Sequence, residues 1–296
     1  MLGVVNLDKP VGPTSHDMVA LMRRLTGTRR IGHAGTLDPL ASGVLPILVG
    51  AATRFSEELT GGSKRYQAVM RLGWRSVTDD GEGPLQRGGA VPSDDAVTGA
   101  LARFVGTFSQ QPPAYSARKQ AGQVAHRAAR RGSPMELPPR VVTVERLDVL
   151  AIQRGEDAVD VRIDLRCGAG TYVRSIARDL GEELGCGGYL AELRRTEAAG
   201  LTADTAQTPE SLAKLAAHED LGSVILPIAD LLPLARLELD AVAAARFQHG
   251  LPQRLDAKGS TENGKRVVLS EGALLGVGML TDGMLQPEKV LSQGGA

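Results

Sequence analysis

The sequence carries no net charge: 34 basic and 34 acidic side chains cancel, so the chain as a whole offers no electrostatic footprint for a nucleic acid or a membrane surface. Any polyanionic partner must be recognised locally. Cysteine is scarce, with only Cys167 and Cys186 present, too few and too far apart for a disulfide framework or a zinc site; both are expected to be buried thiols. The amino terminus lacks a basic-then-apolar signal. The longest uncharged run, Pro39 to Thr53, is too short and too rich in Gly and Pro to span a bilayer. A cytoplasmic protein with no membrane partner is expected. A Walker loop, a dinucleotide fingerprint and a His/Cys cluster are also missing, so neither a metal nor a cofactor is expected.

What remains is a chain of 296 residues, 42% of them hydrophobic, enough for one large domain and a small appendage. Leu2 to Asp8 reads as a strand closed by Lys9-Pro10-Val11-Gly12-Pro13. Thr14 or Ser15 then caps a helix with Met18, Val19, Met22 and Leu25 at helical spacing before Gly27. Val44 to Val49 and Tyr66 to Leu72 are strand candidates, and Ser93 caps a helix that Gly106 stops. Val159, Val161, Ile163 and Leu165 alternate with Asp160, Arg162, Asp164 and Arg166, the clearest period-two pattern in the chain. A helix with Val173, Ile176, Leu180 and Leu184 on one side follows. After Pro227 to Pro233 the chain turns to short apolar runs punctuated by glycine, a small β-rich unit.

The chemistry concentrates in Gly32-His33-Ala34-Gly35-Thr36-Leu37-Asp38-Pro39, which packs a ring, a hydroxyl and a carboxylate between two glycines. Glycine lets backbone approach a ligand, and Pro39 biases Asp38 toward an extended conformation that restricts its carboxylate. An Asp that merely closes a turn would fit the same spacing.

The segment Arg30 to Pro46, containing this loop, resembles the catalytic motif of the TruB-type tRNA pseudouridine synthases. The resemblance extends in order through Lys9 to Asp17, Lys64-Arg65-Tyr66, Pro112 to Ala117, Gly170 to Ser175 and Leu190 to Gly200. It implies an α+β pseudouridine synthase fold: a mixed, mostly antiparallel central sheet flanked by helices, over residues 1–232, with a PUA-like C-terminal RNA-binding domain over 233–296. It also implies an RNA-clamping insertion at about 109–142. His126 departs from the tyrosine expected after Gly122.

The implied activity is isomerisation of uridine 55 in the T loop of tRNA by a monomer. The C1′–N1 bond breaks and the ribose rejoins C5, with Asp38 as the catalytic carboxylate. Whether that carboxylate attacks the base, attacks the sugar or removes a ribose proton stays open. Arg174 is the implied partner of Asp38; it lies in the first turn of its helix, where the dipole disfavours a cation, so a negative group should compensate. Tyr66 is implied to stack on the extruded uracil and to shift a proton, with Leu193 as the apolar wall. His33, Tyr172 and Lys9 complete the implied substrate contacts. A uridine in a folded loop must leave its stack before a side chain can reach its glycosidic bond.

Between Ala114 and Arg140 six cations face Glu136 alone. Arg118, Lys119, Arg127, Arg130 and Arg131 are implied to grip the T arm, the last three sharing one face of a helix expected from Gln120 to Arg131. A guide-RNA-dependent synthase and a non-catalytic RNA-binding protein are the competing readings. Altered residues at 38 or 174 would favour the second; Asp38 and Arg174 are both in place.

Overall fold

The computed structural model describes residues 1–115, 119–120, 123–124, 137–255 and 262–291. Thr14 sets the first helix: its hydroxyl accepts from the Asp17 amide at 3.1 Å, and the Asp17 carboxylate accepts from the Thr14 amide at 2.8 Å. This reciprocal cap satisfies two otherwise orphaned donors. The helix runs Ser15–Thr26 and ends at Gly27, whose φ of 66° suits glycine. Because Thr14 is the cap, Ser15 is free for another task.

Ten strands form the main sheet. Its spatial order is Ile225–Leu226, Gly3–Lys9, Ala41–Val49, Gly188–Ala198, Lys64–Leu72, Val159–Cys167, Arg140–Arg154 and Gly106–Gln110. Ile31–His33 and Leu201–Thr202 pair at its side. Every pairing is antiparallel except one. Gly188–Ala198 and Ala41–Val49 run parallel and meet only at Leu193/Ala41, Arg194/Ser42 and Arg195/Gly43. The sheet is therefore mixed and mostly antiparallel, as expected, and it opens where these two strands part.

One sheet face buries Val5, Leu7, Ile47, Met70 and Ile163 against Met22, Leu101, Ile176 and Leu180 from the helices Ser15–Thr26, Asp94–Ala102 and Val173–Glu183. The Val159–Cys167 strand keeps its alternation with one exception: Asp164 is buried, because Arg65 Nε lies over it at 2.8 Å. On the other face Val4, Val44 and Leu48 meet Phe55 and Leu59, and then Val267, Leu269 and Val277 of a second sheet.

That second sheet has five strands in the order Ala235–Glu238, Gly264–Ser270, Ala273–Thr281, Met284–Val290, Gln253–Arg254. Helix Ala241–Gln248 contributes Phe247 to its separate core with Val268, Leu280 and Leu285. The C-terminal stretch is β-rich, as its glycine-punctuated runs imply. Polar contacts stitch the sheets together: Lys289 Nζ reaches Glu58 at 2.7 Å, and Arg54 Nη1 donates to Val290 O at 2.5 Å.

Two expectations fail locally. The helix capped by Ser93 ends at Ala102 rather than running to Gly106, which begins a strand. No helix starts at Gln120, because Lys119–Gln120 pairs antiparallel with Gln123–Val124. The rest of that expected helix lies outside the described residues.

Candidate active site

Two sequence motifs lock the backbone on either side of Asp38. Ser15 Oγ donates to Leu37 O at 3.0 Å and accepts from Leu37 N at 2.8 Å, holding the residue before Asp38 by both of its backbone groups. Gly12 N donates to Pro39 O at 2.8 Å, holding the residue after it. Lys9 lies beneath, fully buried, its ammonium donating to Pro10 O at 2.8 Å and Pro13 O at 2.7 Å, with Pro39 O at 3.5 Å. Burial lowers the Lys9 pKa to about 8, against the pull of the Asp38 charge. The structure thus puts Lys9 under the loop rather than in front of it.

Asp38 itself is reachable, with 36% of its side chain exposed, and its Oδ2 meets Arg174 Nη2 at 2.9 Å. The arginine is 6% exposed. Its other contacts run inward: Nη1 to Asp80 Oδ2 and to Thr78 O, both at 3.2 Å, and Nη2 to Tyr115 O at 2.9 Å. Two carboxylates supply the negative charge that a cation at a helix start requires. Arg178, one turn on, repeats the arrangement with Asp79 at 2.9 Å. Ser175 Oγ and Arg178 Nη2 both donate to Gln111 O, so this helix also holds the root of the insertion.

Tyr66 is buried, and burial pushes its phenol pKa up while the Arg195 guanidinium beside it pulls down. The phenol keeps its proton and remains a donor. Arg195 is 1% exposed; its Nε donates to Val44 O at 2.7 Å and its Nη2 to Gly35 O at 3.0 Å, closing the Asp38 loop back on the strand that follows it. His33 packs edge-on against His16 with ring centroids 5.6 Å apart, and its buried Nδ1 has no protein partner. Burial, then His16 and Arg195, lower the His33 pKa, which keeps the ring neutral.

Where the parallel strands part, a cavity of about 510 Å³ opens between Val11, Leu40 and Ser42 on one side and Gln67, Leu193 and Arg194 on the other. Leu40 is two residues from Asp38 in the chain. Asp38, Tyr66 and Arg174 are not in its walls. Tyr172 caps the Arg174 helix without a side-chain bond; its backbone is held at both ends by the Gln110 amide, at 2.8 and 3.1 Å. Arg118, Arg127, Arg130 and Arg131 lie outside the described residues, and Lys119 is described only as backbone in a strand. The structure therefore gathers Asp38, Arg174, Tyr66 and His33 around one loop. It adds Asp80, Thr78 and Arg195, which sequence reasoning missed. Only Arg195 left a signal, its place beside Leu193 in the Leu190 to Gly200 motif.

A family profile described as the TruB family pseudouridylate synthase N-terminal domain matches residues 23–173. The chain belongs to the TruB family. Further TruB profiles match 174–233, described as the tRNA pseudouridylate synthase B C-terminal domain, and 235–291, described as the Pseudouridine synthase II TruB C-terminal segment. Proteins named tRNA pseudouridine synthase B from Ralstonia pickettii (strain 12J) and Burkholderia mallei (strain NCTC 10247) are each 41% identical. The first comparison covers 98% of this chain and 94% of the relative; the second covers 99% and 97%. Among solved structures, a chain of an H/ACA RNP bound to a substrate RNA containing 2′-deoxyuridine superposes with a TM-score of 0.74 at 26% identity. That likeness covers 98% of this TruB-family chain and 84% of the other. Among the described residues no group of three or more His, Cys, Asp or Glu is placed to hold a metal ion, and no helix is long and apolar enough to cross a membrane.

Proposed function

We propose that this TruB-family enzyme converts uridine 55 in the T loop of tRNA to pseudouridine, with Asp38 as the catalytic carboxylate. It acts as a cytoplasmic monomer without a cofactor. The observation that carries the assignment is the asymmetry of the Asp38–Arg174 pair: a buried guanidinium at 2.9 Å holds a carboxylate that is itself open to a substrate. The names of the relatives supply the substrate class. In the reaction the C1′–N1 bond breaks, the base turns, C1′ bonds to C5, and the C5 hydrogen is lost as N1 gains one. Atoms balance with no oxidant, metal or donor. Tyr66 stacks on the extruded base and offers its retained proton, Leu193 forms the apolar wall, and His33 enters the RNA loop. Tyr172 lies at the rim, Lys9 supports the loop from below, and the cations Arg118, Lys119, Arg127, Arg130 and Arg131 grip the T arm.

The test is to incubate the purified protein alone with unmodified tRNA and map pseudouridine, beside Asp38→Asn. The wild type should convert one uridine stoichiometrically and the variant should lose at least ~10²-fold in single-turnover rate, the lower end for removal of a catalytic acid or base. Filter binding should stay within a few fold. Activity of the variant within tenfold of wild type would sink the assignment. Conversion without any added RNA or protein separates a stand-alone enzyme from a partner-dependent one.

A further inference from the structure

The zero net charge conceals one surface where arginines collect without counter-charge. Arg23 and Arg24 lie in the last turn of helix Ser15–Thr26, Arg29 and Arg30 follow it, and Arg54 joins them from the segment after Val49; all five are exposed. Hydrogen bonds and chain adjacency bring them together, Arg24 as the neighbour of Arg23. Arg23 Nε donates to Arg29 O at 3.1 Å, Arg30 Nε to Thr53 Oγ1 at 3.0 Å, and Arg54 is the next residue in the chain. None of the five pairs with a carboxylate among the described residues. The contacts that hold them run to neutral oxygens.

Many exposed arginines elsewhere are neutralised: Arg65, Arg71, Arg166 and Arg194 each sit within 3.1 Å of an acid. The acids nearest in sequence to Arg54, Glu57 and Glu58, are both taken by Lys289. A helix C-terminus favours cations, which accounts for Arg23 and Arg24 but not for Arg29, Arg30 or Arg54. Like charges crowded on one patch repel, and a polyanion relieves that repulsion. The group also adjoins the Asp38 loop along the chain, because Arg30 leads directly into strand Ile31–His33.

We infer that this arginine patch is a docking surface for the sugar–phosphate backbone of the substrate RNA, flanking the loop that enters the Asp38 site. The inference rests on the RNA-modifying activity proposed above and extends the RNA footprint beyond the insertion to a second stretch of the chain. Recognition there is by charge and is independent of base sequence.

Arg24 and Arg29 are the residues to change, since neither side chain holds any other part of the fold through a described contact. The double variant Arg24→Gln/Arg29→Gln should retain the wild-type melting temperature. Titrated with tRNA across a salt series, it should bind more weakly at low salt, and its plot of log affinity against log salt should be flatter by roughly two units, about one per lost phosphate contact. Arg87→Gln, an exposed arginine already paired with Asp157, should leave that slope unchanged. A double variant with wild-type affinity and slope overturns the inference and leaves the patch as a surface for an acidic protein or for solvent. The binding readout does not depend on turnover. Wild-type protein that binds tRNA but converts none of it would instead refute the proposed activity.

Discussion

Gly43 and Arg195 face each other so closely across the parallel strand pair that a Cβ on Gly43 would fall 2.1 Å from the Arg195 carbonyl oxygen. The glycine also has a φ of 101°, which side chains rarely adopt. These two residues close the end of the loop that carries Asp38. Gly43→Ala should therefore cost at least about 2 kcal/mol, as backbone strain and a backbone clash combine, and urea unfolding measures it. Turnover per folded molecule should fall as well, because the clash pries apart the strands that set the loop. A variant of normal stability and rate would show that the close approach is dispensable.

Arg174→Lys should be far from conservative. Lysine lacks the planar fork that reaches Asp38, Asp80, Thr78 O and Tyr115 O together. Position at a helix start by itself suggests a small stability cost, but four partners in a buried setting reverse that. We expect a loss of about 2–4 kcal/mol from an imperfectly paired buried charge, with a single-turnover rate at least ~10²-fold lower from misplacement of Asp38. Paired measurement of melting and rate decides it; unchanged values in both would contradict the shared-guanidinium geometry.

Tyr66 distinguishes stacking from proton transfer. Tyr66→Phe should bind tRNA normally and turn over slowly, because the ring remains while the proton held by the buried phenol is gone. Tyr66→Leu should lose both. If the ring served the core alone, both variants would show a lowered melting temperature and wild-type kinetics in the folded fraction.

Lys9 predicts a pH signature. Below about pH 8 its amine is charged in the folded and unfolded chains alike, and burying that charge burdens the fold. Between about 8 and 10.5 the folded chain has released the proton and the unfolded chain still holds it, so this group makes stability rise with pH. Lys9→Met should lack that rise: the stability difference between the two proteins should move in favour of wild type from pH 7 to pH 10. A difference that stays flat over this window would mean that the Lys9 pKa is not depressed.

What was legible in the sequence is what local chemistry writes there. The Thr14 cap, the Gly27 stop, the Val159–Cys167 alternation and the Asp38 loop depend on neighbours a few residues away. Asp80 leaves no trace in the sequence because its partner Arg174 is 94 residues distant, and the motif that holds Arg195 does not reveal its contact with Gly35, 160 residues away. Ser15 shows the converse. A serine at a helix start reads as a cap, and only the fold reveals that Thr14 does the capping while Ser15 grips Leu37.

The apolar cluster shared by the two sheets makes each a lid on the other. Val4, Val44, Leu48 and Phe55 belong to the first sheet and its flank, Val267, Leu269 and Val277 to the second, yet they form one interior. Folding of either part alone would leave a wet hydrophobic face, so denaturation should proceed as a single cooperative step. Separating the chain between the sheets would leave that shared apolar face exposed on both pieces.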